Sequence, residues 1–139
     1  MPFTPMFHVH AWGIPYLATL LGLKQVYGGR FVADSAVALY RRENVTMSHC
    51  VPTQLRMVLD SAKTKGILLS GWKMLIGGAS LPQALAREAL GLGLDVYSGY
   101  GMSEACPILT LSGLMPKMAG WEFERQVAKA GARPAGPFP

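Results

Sequence analysis

Residues 97–104 read Tyr-Ser-Gly-Tyr-Gly-Met-Ser-Glu, a run whose side chains match what a bound nucleotide needs. Gly99 and Gly101 let the backbone come close to a flat or charged ligand. Tyr100 offers a ring face on which a base can stack. Ser103 carries a hydroxyl for a phosphate oxygen, and Glu104 carries hard carboxylate oxygens for a divalent cation such as Mg2+. A glycine pair alone is equally at home in a plain turn. Upstream, Gly77-Gly78-Ala79 forms a second run of small residues, and His8, His10 and Trp12 stand close together near the amino terminus. His8 and His10 with His49 and Cys50 suggest zinc at first sight, but their spacing fits no closed tetrahedral set.

The elements that must position these residues alternate between strand and helix. Residues 11–23 read as a helix interrupted in composition by Gly13 and Pro15, and residues 24–27 as a strand ending at Gly28-Gly29. Asp34 suits the N-cap of a helix running to about Glu43, with Asn44 as its stop. Val45, Met47, His49 and Val51 alternate as on one face of a strand. Leu55, Val58, Leu59 and Ala62 recur at helical spacing after Pro52. Residues 72–76 read as a short buried strand. Ser80 and Gln83 suggest a capping box with Pro82 in the first turn, ahead of a stripe of Leu81, Leu85, Ala89 and Leu92. Residues 94–98 are the last clear strand. The alternation predicts an α/β fold: a mostly parallel sheet with helices on both faces. Loops at Gly28, Pro52, Gly77 and Gly99 would then open at one sheet edge, where ligands of such sheets bind.

Composition bounds the function classes. A chain of 139 residues suits one domain able to bury a core, and a content of 50% hydrophobic against 15% charged residues is apolar for that size. A sheet with apolar faces and little charge predicts self-association. The net charge of +5 is mild and Arg41-Arg42 is the lone adjacent basic pair, so no basic stripe for nucleic acid is present. Cys50 and Cys106 lack metal or redox spacing, and a reducing cytoplasm is the expected compartment. The apolar run at residues 11–23 is too short for a bilayer span, which takes about 20 residues. It has no preceding positive charge, so a signal peptide is not expected, and Asn44-Val45-Thr46 is set aside as a glycosylation acceptor.

Three segments, in order, resemble one family. Residues 97–104 resemble the G-Y-G-x-[ST]-E motif of the adenylate-forming (AMP-binding) enzymes, the acyl-CoA synthetase superfamily. Gly77-Gly78-Ala79-Ser80-Leu81-Pro82 resembles the family's G-G-A-x-[LM] loop beside the adenine. Residues 5–13, Pro-Met-Phe-His-Val-His-Ala-Trp-Gly, resemble the P-M-F-H-V-x-x-W segment of its fatty-acyl branch. The resemblance covers residues 1–110 as a partial AMP-binding subdomain. It fades over 111–139, where a short helix and a Gly/Ala/Pro-rich tail are expected. The phosphate loop, the later Asp and Arg motifs and the C-terminal lysine of the family find no match, so the chain reads as an internal piece that is inactive alone.

The resemblance implies an ATP-dependent acid–thiol ligase acting on a fatty acid, with ATP and coenzyme A as co-substrates and Mg2+ as cofactor. It implies a nucleotide site of Gly77, Gly78, Ala79, Ser98, Gly99, Tyr100, Gly101 and Met102, with Ser103 and Glu104 at the phosphates and Glu104 on the metal. Ser98 departs from the amide many relatives carry. His8 would face the acid's carboxylate and Trp12 would gate the acyl tunnel, unless Trp12 is a core residue. His10 receives no role. An aryl-acid or amino-acid adenylating enzyme, and a non-catalytic nucleotide-binding remnant, stay as alternatives.

Overall fold

The computed structural model describes residues 1–131 except Cys106, Met115 and Ala119, together with the backbone but not the side chain of Pro116. Its centre is a four-stranded sheet in the order β1-β2-β3-β4, formed by Met47–Cys50, Lys73–Ile76, Asp95–Gly101 and Ile108–Gly113. β1, β2 and β3 run parallel, and β4 returns antiparallel to β3. Register aligns Cys50, Ile76 and Ser98 on one face, and His49, Leu75 and Tyr97 on the other.

The first face carries the core. α4 (Pro52–Thr64) presents Leu55, Val58, Leu59 and Ala62, all fully buried. Each of the leucine and valine side chains contributes about 1.5–3 kcal/mol by leaving water. The helix starts where Gln54 accepts a hydrogen bond from the Val51 amide at 3.2 Å, with Pro52 in the first turn. α3 (Ala33–Glu43) packs against α4, and Asn44 ends it at φ 52. α5 (Gln83–Gly91) lies on β3, and α6 (Phe123–Ala130) packs on α5 and the β3–β4 hairpin. An Arg87–Glu124 ion pair and a bond from Ser112 Oγ to the Lys129 carbonyl hold α6 there. Trp72 stacks on Tyr40 at 4.5 Å and donates its indole N–H to Ser48 Oγ at 2.9 Å. Short helices α1 (Val9–Trp12) and α2 (Ile14–Leu20) belong to the other side, where the His10 ring meets His49.

Several local expectations need correction. Residues 24–27 form no strand, because the free edge of β1 is taken by the amino terminus. Pro2 bridges His49 in parallel, and the Met1 ammonium donates to the Met47 carbonyl at 2.8 Å. The helix expected over 11–23 is two helices divided at Gly13. Asp34 sits inside the first turn of α3, with Val32 as the cap. No side-chain cap forms at α5, whose N-cap is Pro82, so Ser80 and Gln83 make no capping box. The alternating face of β1 fails because Ser48, His49 and Cys50 are all buried while Met47 is half exposed. A parallel strand covered on both faces shows no alternation. Gly28 follows no strand, and Gly99 lies within β3, which runs on through Gly101. The expected helix in the last stretch is α6, whereas residues 132–139 lie outside the described residues.

Candidate functional site

β2 delivers its last residue into Gly77, whose amide donates to the Cys50 carbonyl at 3.1 Å and continues the parallel ladder by one bond. Gly78 then turns the chain at φ 80, where a side chain would be strained. Beside it, β3 carries Gly99 on the same face as Leu75. A β-carbon on Gly99 would stand 3.3 Å from Leu75 Cδ1. The glycine thus leaves an open floor where any other residue would raise a bump. Tyr100 follows near the carboxyl end of β3, 48% exposed. Past Gly101, residues Ser103–Ala105 form one 3-10 turn closed by a bond from the Ala105 amide to the Met102 carbonyl at 3.0 Å.

Across from these glycines lies the start of α1. His8 is its N-cap, and its Nδ1 accepts the His10 amide at 3.1 Å. That bond leaves Nε2 to carry the proton of the neutral imidazole. His8, Val9 and His10 therefore form the wall opposite residues 99–104, and the two walls enclose a cavity of about 380 Å³. Its lining also includes Leu75, Gly77, Gly78, Pro107 and Ile108. The volume lies within the range of small-molecule sites, about 300–1,000 Å³.

Of the residues expected from sequence, the cavity brings together His8, Gly77, Gly78, Gly99, Tyr100, Gly101, Met102, Ser103 and Glu104. Ser98 does not line it: strand alternation turns this residue to the helix-covered face, where it is buried opposite Ser112. Ala79 lies just beyond the lining, in the exposed stretch leading to α5. Trp12 is also outside, 52% exposed and edge-on to Tyr16 at 6.0 Å, so it is not a core tryptophan. His10, Val9, Leu75, Pro107 and Ile108 were missed. Leu75 was recoverable from its strand parity with Gly99, whereas Pro107 and Ile108 carry no motif.

The electrostatics follow from burial. His49 is buried behind His10, with Nδ1 at 3.1 Å from Thr4 Oγ1 and Nε2 without a partner among the described residues. Burial, aided by His10, the amino terminus and His8, lowers its pKa to about 3. Burial first, and then His8, lowers that of His10. The Cys50 thiol is pushed up by burial and is no nucleophile. Among the described residues no group of three or more His, Cys, Asp or Glu side chains is placed to hold a metal. Among the described residues that line the cavity, Glu104 is the one carboxylate, and none is a lysine or arginine. One carboxylate suits Mg2+, which keeps several waters and binds through one or two carboxylates plus substrate phosphates. It does not suit a metal that needs a closed protein cage.

Known proteins share this arrangement of elements. A family model described as AMP-binding enzyme matches residues 1–134. A long-chain-fatty-acid–CoA ligase of Thermus thermophilus is 39% identical over 111 residues, covering 78% of this chain and 20% of that protein. The inhibitor-bound N-terminal domain of FACL13 from Mycobacterium tuberculosis superposes with a TM-score of 0.75 at 25% identity, covering 96% of this chain and 32% of that one. The O-succinylbenzoate coenzyme A synthetase of Bacillus subtilis, in complex with ATP and magnesium ion, superposes with a TM-score of 0.72 at 25% identity, covering 86% and 24%. The chain spans about a fifth of the length of the Thermus relative. Since the family model runs through both glycine loops and the α1 wall that enclose the cavity, this chain belongs to the AMP-binding enzyme family.

Proposed function

We propose that the chain is the adenine- and carboxylate-holding part of an ATP-dependent fatty-acyl-CoA ligase. The carrying observation is that His8, Gly77, Gly78 and residues 99–104, distant in sequence, line one cavity. In the reaction, a carboxylate oxygen attacks the α-phosphorus of ATP and pyrophosphate leaves. The coenzyme A thiolate then attacks the acyl carbon and AMP leaves. The chain's part is positioning and charge stabilisation.

Tyr100 stacks on the adenine, and the backbone of Gly77 and Gly78 walls its other side, with Ala79 just beyond them. Gly99, Gly101 and Met102 frame the base, while Ser98 supports the strand from behind. Ser103 donates its hydroxyl to a phosphate oxygen. His8 aims its Nε2–H at the acid's carboxylate, and Trp12 flanks the approach of the acyl chain. Glu104 would hold magnesium, which would supply charge neutralisation at the phosphates. The ATP and magnesium of the Bacillus subtilis complex support carrying both to this chain. The Thermus name supports a fatty acid and coenzyme A. No helix among the described residues is long and apolar enough to cross a membrane, and we infer a cytoplasmic enzyme.

Titration of the chain with AMP, followed by NMR at backbone amides, tests the nucleotide reading. Amides of Gly77, Gly78 and residues 99–104 should shift saturably, and stationary amides at millimolar AMP would overturn it. A chimera carrying residues 1–131 in the matching stretch of the Thermus ligase tests the acid class. Pyrophosphate release should favour aliphatic acids, and a preference for aryl acids or amino acids would replace the fatty-acid reading.

A further inference from the structure

His10 is the cavity residue that the sequence motifs leave without work. Its ring is fixed on two sides. On one side lies Gly77, where a β-carbon would come within 3.3 Å of His10 Cε1. On the other lies the buried His49 ring, with centroids 4.6 Å apart and planes at 48°. His49 is itself held by its Nδ1 contact with Thr4 Oγ1 at 3.1 Å. A ring packed this way has few rotamers left to lose on binding a ligand. Yet neither ring nitrogen of His10 has a hydrogen-bond partner among the described residues, and the residue lines the cavity.

His8 and His10 are set together. The His10 amide orients the His8 ring by donating to its Nδ1, and one short helix carries both. Their centroids are 6.5 Å apart. Two N–H donors at that separation can reach the oxygens of one carboxylate, each through a bond of about 2.8–3.0 Å. We propose that His10 is a second acid-contacting residue, which with His8 holds a single carboxylate group, and that His49 is the positioning residue that fixes the His10 ring. The assignment rests on the reading of the cavity as an acid and nucleotide site.

The charged and titratable groups around His10 agree with a neutral donor. His8 faces it from its own helix, His49 from β1, and Glu104 from across the cavity. The amino terminus, itself lowered by burial to about 6, also acts on His49. Burial and His8 both oppose a positive charge on His10. A neutral imidazole still donates one N–H and binds a carboxylate without taking up a proton. His49 Nε2, buried and unpartnered behind the ring, shows that the pair does not satisfy itself internally.

The test uses the 139-residue chain with its histidines labelled with nitrogen-15, and octanoate as probe. Long-range proton–nitrogen spectra report each imidazole. Octanoate should shift the ring signals of both His8 and His10 with one dissociation constant. His10→Phe should weaken octanoate binding by about ten-fold, the scale of one hydrogen bond to a charged group, and His10→Asn should restore most of it. His49→Ala should weaken binding while His10 signals broaden. Shifts confined to His8, or unchanged affinity in His10→Phe, would overturn the assignment and leave the acid site standing. If no histidine responds while AMP still moves the Gly77 and Tyr100 amides, the acid reading and this assignment both fall, and the nucleotide reading survives.

Discussion

A β-carbon placed on Gly101 would overlap the carbonyl oxygen of Pro107 and stand 2.8 Å from its carbonyl carbon. The two residues face each other where β3 and β4 meet at a register irregularity between Tyr100 and Gly101. Backbone atoms cannot swing aside as a side-chain tip can. Gly101→Ala should therefore spread the hairpin, cost about 1–3 kcal/mol or more, and abolish AMP-induced shifts. Gly91→Ala is the contrast, because that helical glycine has nothing within 4 Å of its β-position. It should leave stability unchanged or raise it by about 0.4–1 kcal/mol. Urea unfolding of both variants checks the pair, and equal stability of Gly101→Ala and the parent would refute the close approach.

This hairpin also marks the limit of what the sequence made legible. The helices α3, α4 and α5 and the parallel strands were readable, because Leu55, Val58, Leu59 and Ala62 recur with helical period and Leu94 to Val96 is a short apolar run. The cavity's main residues were readable from their motifs. β4 was not, since Ile108–Gly113 reads as apolar residues of no clear period and its partner is a Gly-Tyr-Gly run with the chemistry of a turn. The contact with Pro107 explains why Gly101 is a glycine of the strand, and the approach of Leu75 explains Gly99. Likewise, residues 24–27 have strand composition, but pairing depends on a free edge, which Pro2 occupies. The role of His10 depends on His49, a residue far away in sequence.

Glu104 sits in an exposed 3-10 turn and makes no ion pair among the described residues. Its replacement should therefore leave folding intact. In the Thermus chimera, Glu104→Gln should raise the magnesium concentration needed for half-maximal pyrophosphate release by about ten-fold, because an amide brings no charge to the ion. Binding of metal-free AMP should stay the same. An unchanged magnesium dependence would remove Glu104 as a ligand.

Trp12 is half exposed, so truncating it should cost less than the roughly 3–5 kcal/mol of a buried aromatic. Trp12→Ala should change the chimera's preference among fatty acids of different length and leave the Michaelis constant for ATP nearly constant. A large loss of stability with unaltered selectivity would argue for a packing role alone.

α1, α2 and the segments flanking them expose Phe7 at 88%, Leu20 at 81% and Tyr16 at 72%. Leu17, Leu21 and Leu23 are more than half exposed alongside them. Contiguous apolar surface of this kind drives association. Sedimentation at several concentrations should find oligomers of the 139-residue chain, and Leu20→Lys with Leu17→Glu should shift them toward monomer. A monomer at every concentration would contradict this.

His49 gives stability a dependence on pH. Its pKa is about 3 in the folded chain, lowered chiefly by burial, against about 6.5 for an unfolded histidine. Between these values the unfolded state binds a proton that the folded state refuses. The His49 contribution is therefore full above about pH 6.5 and falls as pH drops toward the folded value, by up to about 1.4 kcal/mol per unit. The surface carboxylates Asp34, Glu43 and Glu88, whose pKa values are lowered mainly by hydrogen bonds from lysine or arginine partners, add their loss only below the ordinary carboxylate range. The Met1 amine, lowered by burial from 8.0 to about 6, adds a loss between about pH 8 and pH 6. The interval from about pH 6 to about pH 5 thus isolates the imidazoles, with His10 contributing in the same direction. Urea unfolding across that interval should lose about 1.4 kcal/mol at most from His49, with the smaller loss from His10 added to it. His49→Ala should flatten the dependence even though it opens a small cavity, because a cavity cost is the same at both ends. A slope unchanged in His49→Ala would mean that His49 is already protonated or solvated in the folded chain.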